Sequence, residues 1–211
     1  MDVVIRLENL SKSFGDACVL SHVSRDFEAG KIHGIVGNNG SGKTVMMKCI
    51  CGFLQPTEGR VWVNYKQVGK DVDFPPDMGI IIETPGFLPN LSGRKNLELL
   101  AALQKKIGVE TIRKTLIRVG LDPDMKKPVS KYSLGMRQRL GIAQAIMEEP
   151  SLLILDEPFN GLDRTGTAQM GQLIRELWEQ GRSILLVSHN QAEIDELCDT
   201  GCKMDAGVMT M

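Results

Sequence analysis

Two kinds of apolar pattern run along the chain. VVIRLENL from residue 3 and GRVWVN from residue 59 read as strands, the first alternating apolar and polar positions as a half-exposed sheet requires. IHGIV at 32–36, GIII at 79–82, LLILD at 152–156 and SILLVS at 183–188 are short unbroken apolar runs, the pattern of parallel strands covered on both faces. Helical spacing follows them. It predicts helices over 43–53, 165–180 and 191–198, the second with Met170, Leu173, Ile174, Leu177 and Trp178 on one face and Gly181 as its stop.

Strands alternating with helices argue for an α/β sheet. The stretch 94–149 differs, with helical patterns and no convincing strand, and is expected to be a helical insertion between two sheet strands. The organisation expected is one domain over 1–211: residues 1–84 and 150–211 form the core, with an N-terminal antiparallel β part, and 85–149 form a helical subdomain. No repeat or low-complexity segment interrupts it.

With 211 residues, 24% of them charged, and a net charge of -1, the chain fits an ordinary globular protein. It carries no basic patch and few aromatic residues, which argues against a nucleic-acid platform. No apolar stretch approaches the roughly eighteen residues of a membrane span, and MDVVIRLENL alternates where a signal peptide would be continuously apolar, so the chain is expected to stay in the cytosol. The five cysteines match no zinc or redox spacing and are expected to be reduced filler.

Chemistry first appears at GNNGSGKT, residues 37–44, between a predicted strand and a predicted helix. Gly37, Gly42, Lys43 and Thr44 fit G-x-x-x-x-G-K-[ST] in the context that a phosphate-binding loop demands. Glycines let backbone N–H groups turn inward, and the helix N-terminus adds positive potential. Gly37, Asn38, Asn39, Gly40, Ser41, Gly42, Lys43, Thr44 and Val45 are the candidate nucleotide contacts, with Lys43 reaching the β- and γ-phosphates and Thr44 holding Mg²⁺.

LLILDE supplies the carboxylates that such a site needs. Asp156 would bind Mg²⁺ through water, and Glu157 would polarise the attacking water. Neighbouring residues of a strand face opposite ways, so both serve one site only if the strand ends between them and Glu157 lies at the sheet rim. In YSLGMRQRL, Ser133 is a good helix N-cap, and with Gly135 and open N–H groups it makes a second candidate anion site.

GNNGSGKT, YSLGMRQRL, LLILDEPFNGLD and the SH pair at 188–189, in this order and spacing, resemble the nucleotide-binding subunit of an ABC (ATP-binding cassette) transporter over essentially the whole chain. The resemblance implies a P-loop NTPase core with a parallel sheet, an antiparallel β part and an inserted helical subdomain. It implies ATP and Mg²⁺ as ligands, separate transmembrane subunits, and a head-to-tail homodimer or heterodimer of cassettes. Ser133 and Gly135, with Met136 beside them, would face the nucleotide of the partner cassette, and Asp163 would lie on the dimer seam. His189 would be the switch histidine and Phe14 the aromatic stacked on adenine, although Phe14 taken alone better fits a core residue.

The chain departs from the family in three places. Leu134 and Met136 stand where a glycine and a glutamine are usual, which leaves the serine and the second glycine of the signature. Glu83, in IIIETPGFLPNL, takes the place of the Q-loop glutamine; a carboxylate still ligates Mg²⁺ but adds negative charge. The chain also stops soon after the switch histidine, so no appended regulatory domain is expected. The first two departures resemble the subgroup that exports, or protects against, bacitracin and lantibiotic peptides. The expected activity is therefore ATP hydrolysis on the inner face of the cell membrane, coupled to export of a peptide or small molecule through separate membrane subunits. Alternatives are a soluble ABC ATPase acting on ribosomes or DNA, and a nucleotide-dependent regulator that does not turn over.

Overall fold

The computed structural model describes residues 2–83 and 86–210. Strand β1 (Val3–Phe14) turns at Gly15, which takes a left-handed φ of 58°, into the antiparallel strand β2 (Ala17–Glu28). On its other side β1 pairs with β4 (Glu58–Val63), which pairs with the short β5 (Lys66–Gln67). The order β2-β1-β4-β5, antiparallel throughout, makes the N-terminal sheet.

The second sheet has the order β10-β9-β3-β8-β7-β6. Strands β3 (Ile32–Val36), β6 (Met78–Ile81), β7 (Leu152–Asp156), β8 (Ser183–Ser188) and β9 (Thr200–Asp205) are parallel, and β10 (Val208–Thr210) is antiparallel to β9. The unbroken apolar runs now have their reason. Leu153, Leu155, Ile184 and Leu186 face one apolar cluster, while Leu152, Ile154, Leu185 and Val187 face the other.

Helix α1 (Lys43–Ile50) lies in the layer between the two sheets, where Met46, Met47 and Ile50 share a cluster with Leu7, Leu20 and Phe27 of the antiparallel sheet. On the opposite face pack α2 (Gly93–Gln104), α3 (Val109–Arg118), α4 (Leu134–Ile146) and α5 (Arg164–Glu179), followed in the chain by α6 (Gln191–Leu197). Helices α2, α3 and α4 intervene between β6 and β7. The expected subdomain boundary at 84/85 lies outside the described residues. Helix α4 rides closely on β6, because a Cβ on Gly79 would lie 2.0 Å from the Ala145 carbonyl oxygen.

Four strands escaped the sequence reading. In β2 the buried residues are Leu20, Val23 and Phe27, spaced by three and four as on a helix face. Register shifts against β1, and a left-handed φ of 49° at His22, convert that spacing into one strand face. β9 buries only Cys202 and Met204, and β5 and β10 are too short to show a period. The cysteines are all free, but Cys18 is exposed, unlike the buried Cys49, Cys51 and Cys202. Among the described residues no helix is long and apolar enough to cross a membrane.

Candidate functional site

The carboxyl ends of β3, β6, β7 and β8 share one edge of the parallel sheet, where open α/β sheets bind ligands. After Val36 the chain loops through Gly37–Gly42 into α1. Gly37 is needed because β9 passes it: a Cβ there would lie 2.2 Å from the Met204 carbonyl oxygen. Gly42, at φ 103°, makes the turn into the helix. Lys43 is buried, and its Nζ donates to the carbonyl oxygens of Gly37 at 2.6 Å and Asn38 at 2.9 Å, so its charge lies within the loop.

Thr44 Oγ1 donates to Asp156 Oδ2 at 3.3 Å, joining the first turn of α1 to the end of β7. The strand does end at Asp156, and Glu157 leaves it with a left-handed φ of 49°, its N–H bonded to the Val187 carbonyl at 2.8 Å. The Glu157 carboxylate lies 2.8 Å from His189 Nδ1, just beyond β8. Val19, Asn39, Lys43, Thr44, Asp156 and Glu157 line one cavity of about 200 Å³. Burial, and then the neighbouring Glu157 charge, push the Asp156 carboxyl above the usual carboxylate range, against hydrogen bonds from the Glu83 N–H and Thr44.

The profile of the ABC transporter family matches residues 20–160, more than half of the chain. The chain belongs to this family. It is 43% identical, over 94% of its length, to the bacitracin transport ATP-binding protein BcrA of Enterococcus faecalis, of which it spans 65%. It is 36% identical to the lantibiotic transport ATP-binding protein SrtF of Streptococcus pyogenes, over 93% of this chain and 84% of that protein. In fold it matches the dimeric structure of MJ0796, a bacterial ABC transporter cassette, with a TM-score of 0.88, 22% identity and coverage of 98% of this chain and 97% of that one. The chain is thus an ABC transporter ATP-binding protein, similar to bacitracin and lantibiotic transport ATP-binding proteins.

The remaining candidates of the cassette lie elsewhere. None of Phe14, Ser133, Gly135, Met136 or Asp163 lines the cavity at the loop. Phe14 is 50% exposed, with Lys12 Nζ 5.1 Å from its ring centroid, and so is no core residue. Ser133 caps α4 by accepting from the Met136 N–H at 3.2 Å, and Asp163 caps α5 by accepting from the Gly166 N–H at 2.8 Å. Met136 packs partly buried against the core. Leu134, in the usual glycine position, lies over Gly161, where an added Cβ would meet its Cγ at 2.4 Å; the glycine makes room for the leucine.

Glu83 departs most from expectation. It lines a cavity with Asp156 and Glu157, but its carboxylate pairs with Lys48 Nζ at 2.8 Å. Two residues were missed in the sequence. Lys48 is one. The other is Gln138, whose Nε2 donates to the Glu157 carbonyl at 3.1 Å and ties the signature helix to the turn carrying that glutamate. Lys48 belongs to no motif read for its chemistry, and Gln138, although inside YSLGMRQRL, carries no role in that reading; each acquires its partner only through the packing of separate elements.

Proposed function

We propose that this subunit hydrolyses magnesium-bound ATP as one half of a head-to-tail cassette dimer and drives peptide export through separate transmembrane subunits. The reading is carried by the meeting of Lys43, Thr44, Asp156 and Glu157 in one cavity, with His189 on Glu157.

The loop fits a polyphosphate. Ser41 Oγ is buried without a hydrogen-bond partner, and nothing lies within 4 Å of the position a Cβ on Gly40 would take, so the loop keeps a polar, uncrowded rim. Lys43 exchanges its two carbonyl partners for phosphate oxygens, and the N-terminus of α1 adds to the positive potential. The Thr44 hydroxyl and the Asp156 carboxylate are hard oxygen donors that suit Mg²⁺, with Glu83 as a further donor. Bound there, Mg²⁺ would neutralise charge on the β- and γ-phosphate oxygens.

Glu157, at the rim beyond the strand end, accepts a proton from the attacking water. An ionised carboxylate only accepts hydrogen bonds, so His189 presents a protonated Nδ1 to it and is held with its far edge free for the γ-phosphate. Ser133 and Gly135 lie at the start of α4, outside the loop cavity, and serve the nucleotide of the other cassette, with Met136 flanking them and Asp163 on the seam. Phe14, exposed at the tip of β1, stacks on adenine. Helices α2 to α4, as a subdomain over 85–149, transmit closure to the membrane partner.

Peptide cargo is supported by the likeness to BcrA and SrtF, whose names specify bacitracin and lantibiotic transport. Gel filtration of Glu157→Gln with saturating MgATP tests the dimer. The expected species is a dimer that Ser133→Arg disrupts; a monomer under saturation would remove the shared nucleotide from the mechanism.

A further inference from the structure

Helix α1 places Thr44 and Lys48 four residues apart, on one face and one turn above each other. Thr44 bonds to Asp156, and Lys48 pairs with Glu83. Glu83 and Asp156 line one cavity, and the Glu83 N–H favours the charged form of Asp156. The two pairs thus stand side by side, with the glutamate side chain leading away to the lysine. Glu83 takes a left-handed φ of 59°, a conformation disfavoured for a residue with a Cβ.

Charge explains why the second pair matters. Asp156 already feels the Glu157 charge, and Glu83 lines one cavity with both of them. Lys43 spends its donors on the loop carbonyls. Lys48 therefore supplies the cation for the third carboxylate, a charge that a glutamine at position 83 would not bring. The pair is partly solvated, with side chains 29% and 61% exposed, and pairs of that kind are weak enough to be exchanged.

We propose that Lys48 is a positioning residue that holds the Glu83 carboxylate off the metal position, and that Glu83 exchanges Lys48 for the metal when magnesium nucleotide enters. The proposal rests on the reading of Glu83 as an oxygen donor and adds the competitor that sets when it donates. Lys48 acts through Glu83 and touches neither nucleotide nor metal.

The test is a double-mutant cycle read by metal binding. Mn²⁺ affinity is measured by electron paramagnetic resonance with a non-hydrolysable ATP analogue, in wild type, Lys48→Met, Glu83→Gln and the double variant. Loss of a nearby cation by itself favours Mn²⁺ in both backgrounds, so the latch is read from the difference between them. Lys48→Met is expected to tighten Mn²⁺ about two- to fivefold more with Glu83 present than with glutamine there, the scale of a half-exposed ion pair. Equal changes in the two backgrounds, or weaker binding in Lys48→Met with Glu83 present, would overturn the latch. Lys48→Arg keeps charge and fold and is expected to stay within about twofold of wild type; a shift matching that of Lys48→Met would also overturn it. Absence of any Mn²⁺ bound with the nucleotide in wild type is a separate outcome, which sinks the metal site itself and the latch with it.

Discussion

His189 Nδ1 and Glu157 Oε2 lie 2.8 Å apart, although the two residues are supplied by the ends of different strands, β8 and β7. The pair is a single unit, and its members should fail together. Glu157→Gln keeps the shape of the side chain but removes the proton acceptor, so phosphate release at saturating ATP should fall by about 10² to 10⁴. Nucleotide binding, followed with a fluorescent analogue, should persist. His189→Ala is expected to lower turnover to a similar extent, and the double variant to fall little below the worse single variant. Losses that multiply would mean that the two side chains act separately.

Asp156 makes a prediction in which activity and stability move in opposite directions. Its carboxyl titrates above the usual range because burial, then Glu157, disfavour the charged form. A carboxylate whose folded pKa is raised costs stability; that cost is present in full above the raised value and is relieved as pH falls through it. Asp156→Asn should therefore be more resistant to urea than wild type in metal-free buffer at pH 7, with the advantage shrinking on acidification. The same variant should lose Mg²⁺-dependent ATP turnover. A variant less stable than wild type at pH 7 would contradict the assignment of burial as the dominant cause.

Gly79 tests the packing that sets the helical insertion on the sheet. A Cβ there would overlap the Ala145 carbonyl of α4 at 2.0 Å, and backbone moves less readily than the end of a side chain. Gly79→Ala is expected to cost about 1–3 kcal/mol, as overpacking does in a dense core. The cost should appear as a lower urea midpoint, since the substitution adds only a methyl group and leaves the charge unchanged. An unaltered midpoint would show that α4 is free to move off β6.

Much of the site was legible because its chemistry is local. The run from Gly37 to Thr44 and the Asp156–Glu157 pair are contiguous segments, and the loop geometry and strand end they require are short-range properties of glycine spacing and apolar runs. The central strands were legible for a related reason, since Leu152–Leu155 and Ile184–Val187 are apolar at every position only if both sheet faces are covered. β2 was not legible, because its bulges give a strand the apolar spacing of a helix, and that irregularity exists only against β1.

The sequence by itself therefore determined the family, the phosphate loop, the buried strands and the identity of the acidic pair. Only the tertiary structure decided where long side chains spend their charge. Glu83 turns to Lys48, Gln138 reaches the carbonyl of Glu157, and Leu134 settles over Gly161, each across elements far apart in the chain. In the loop and the central strands backbone conformation follows largely from neighbours in sequence, whereas a side chain's partner, like the bulged register of β2, is chosen by whichever groups packing brings within a few ångströms, and no local pattern encodes that choice.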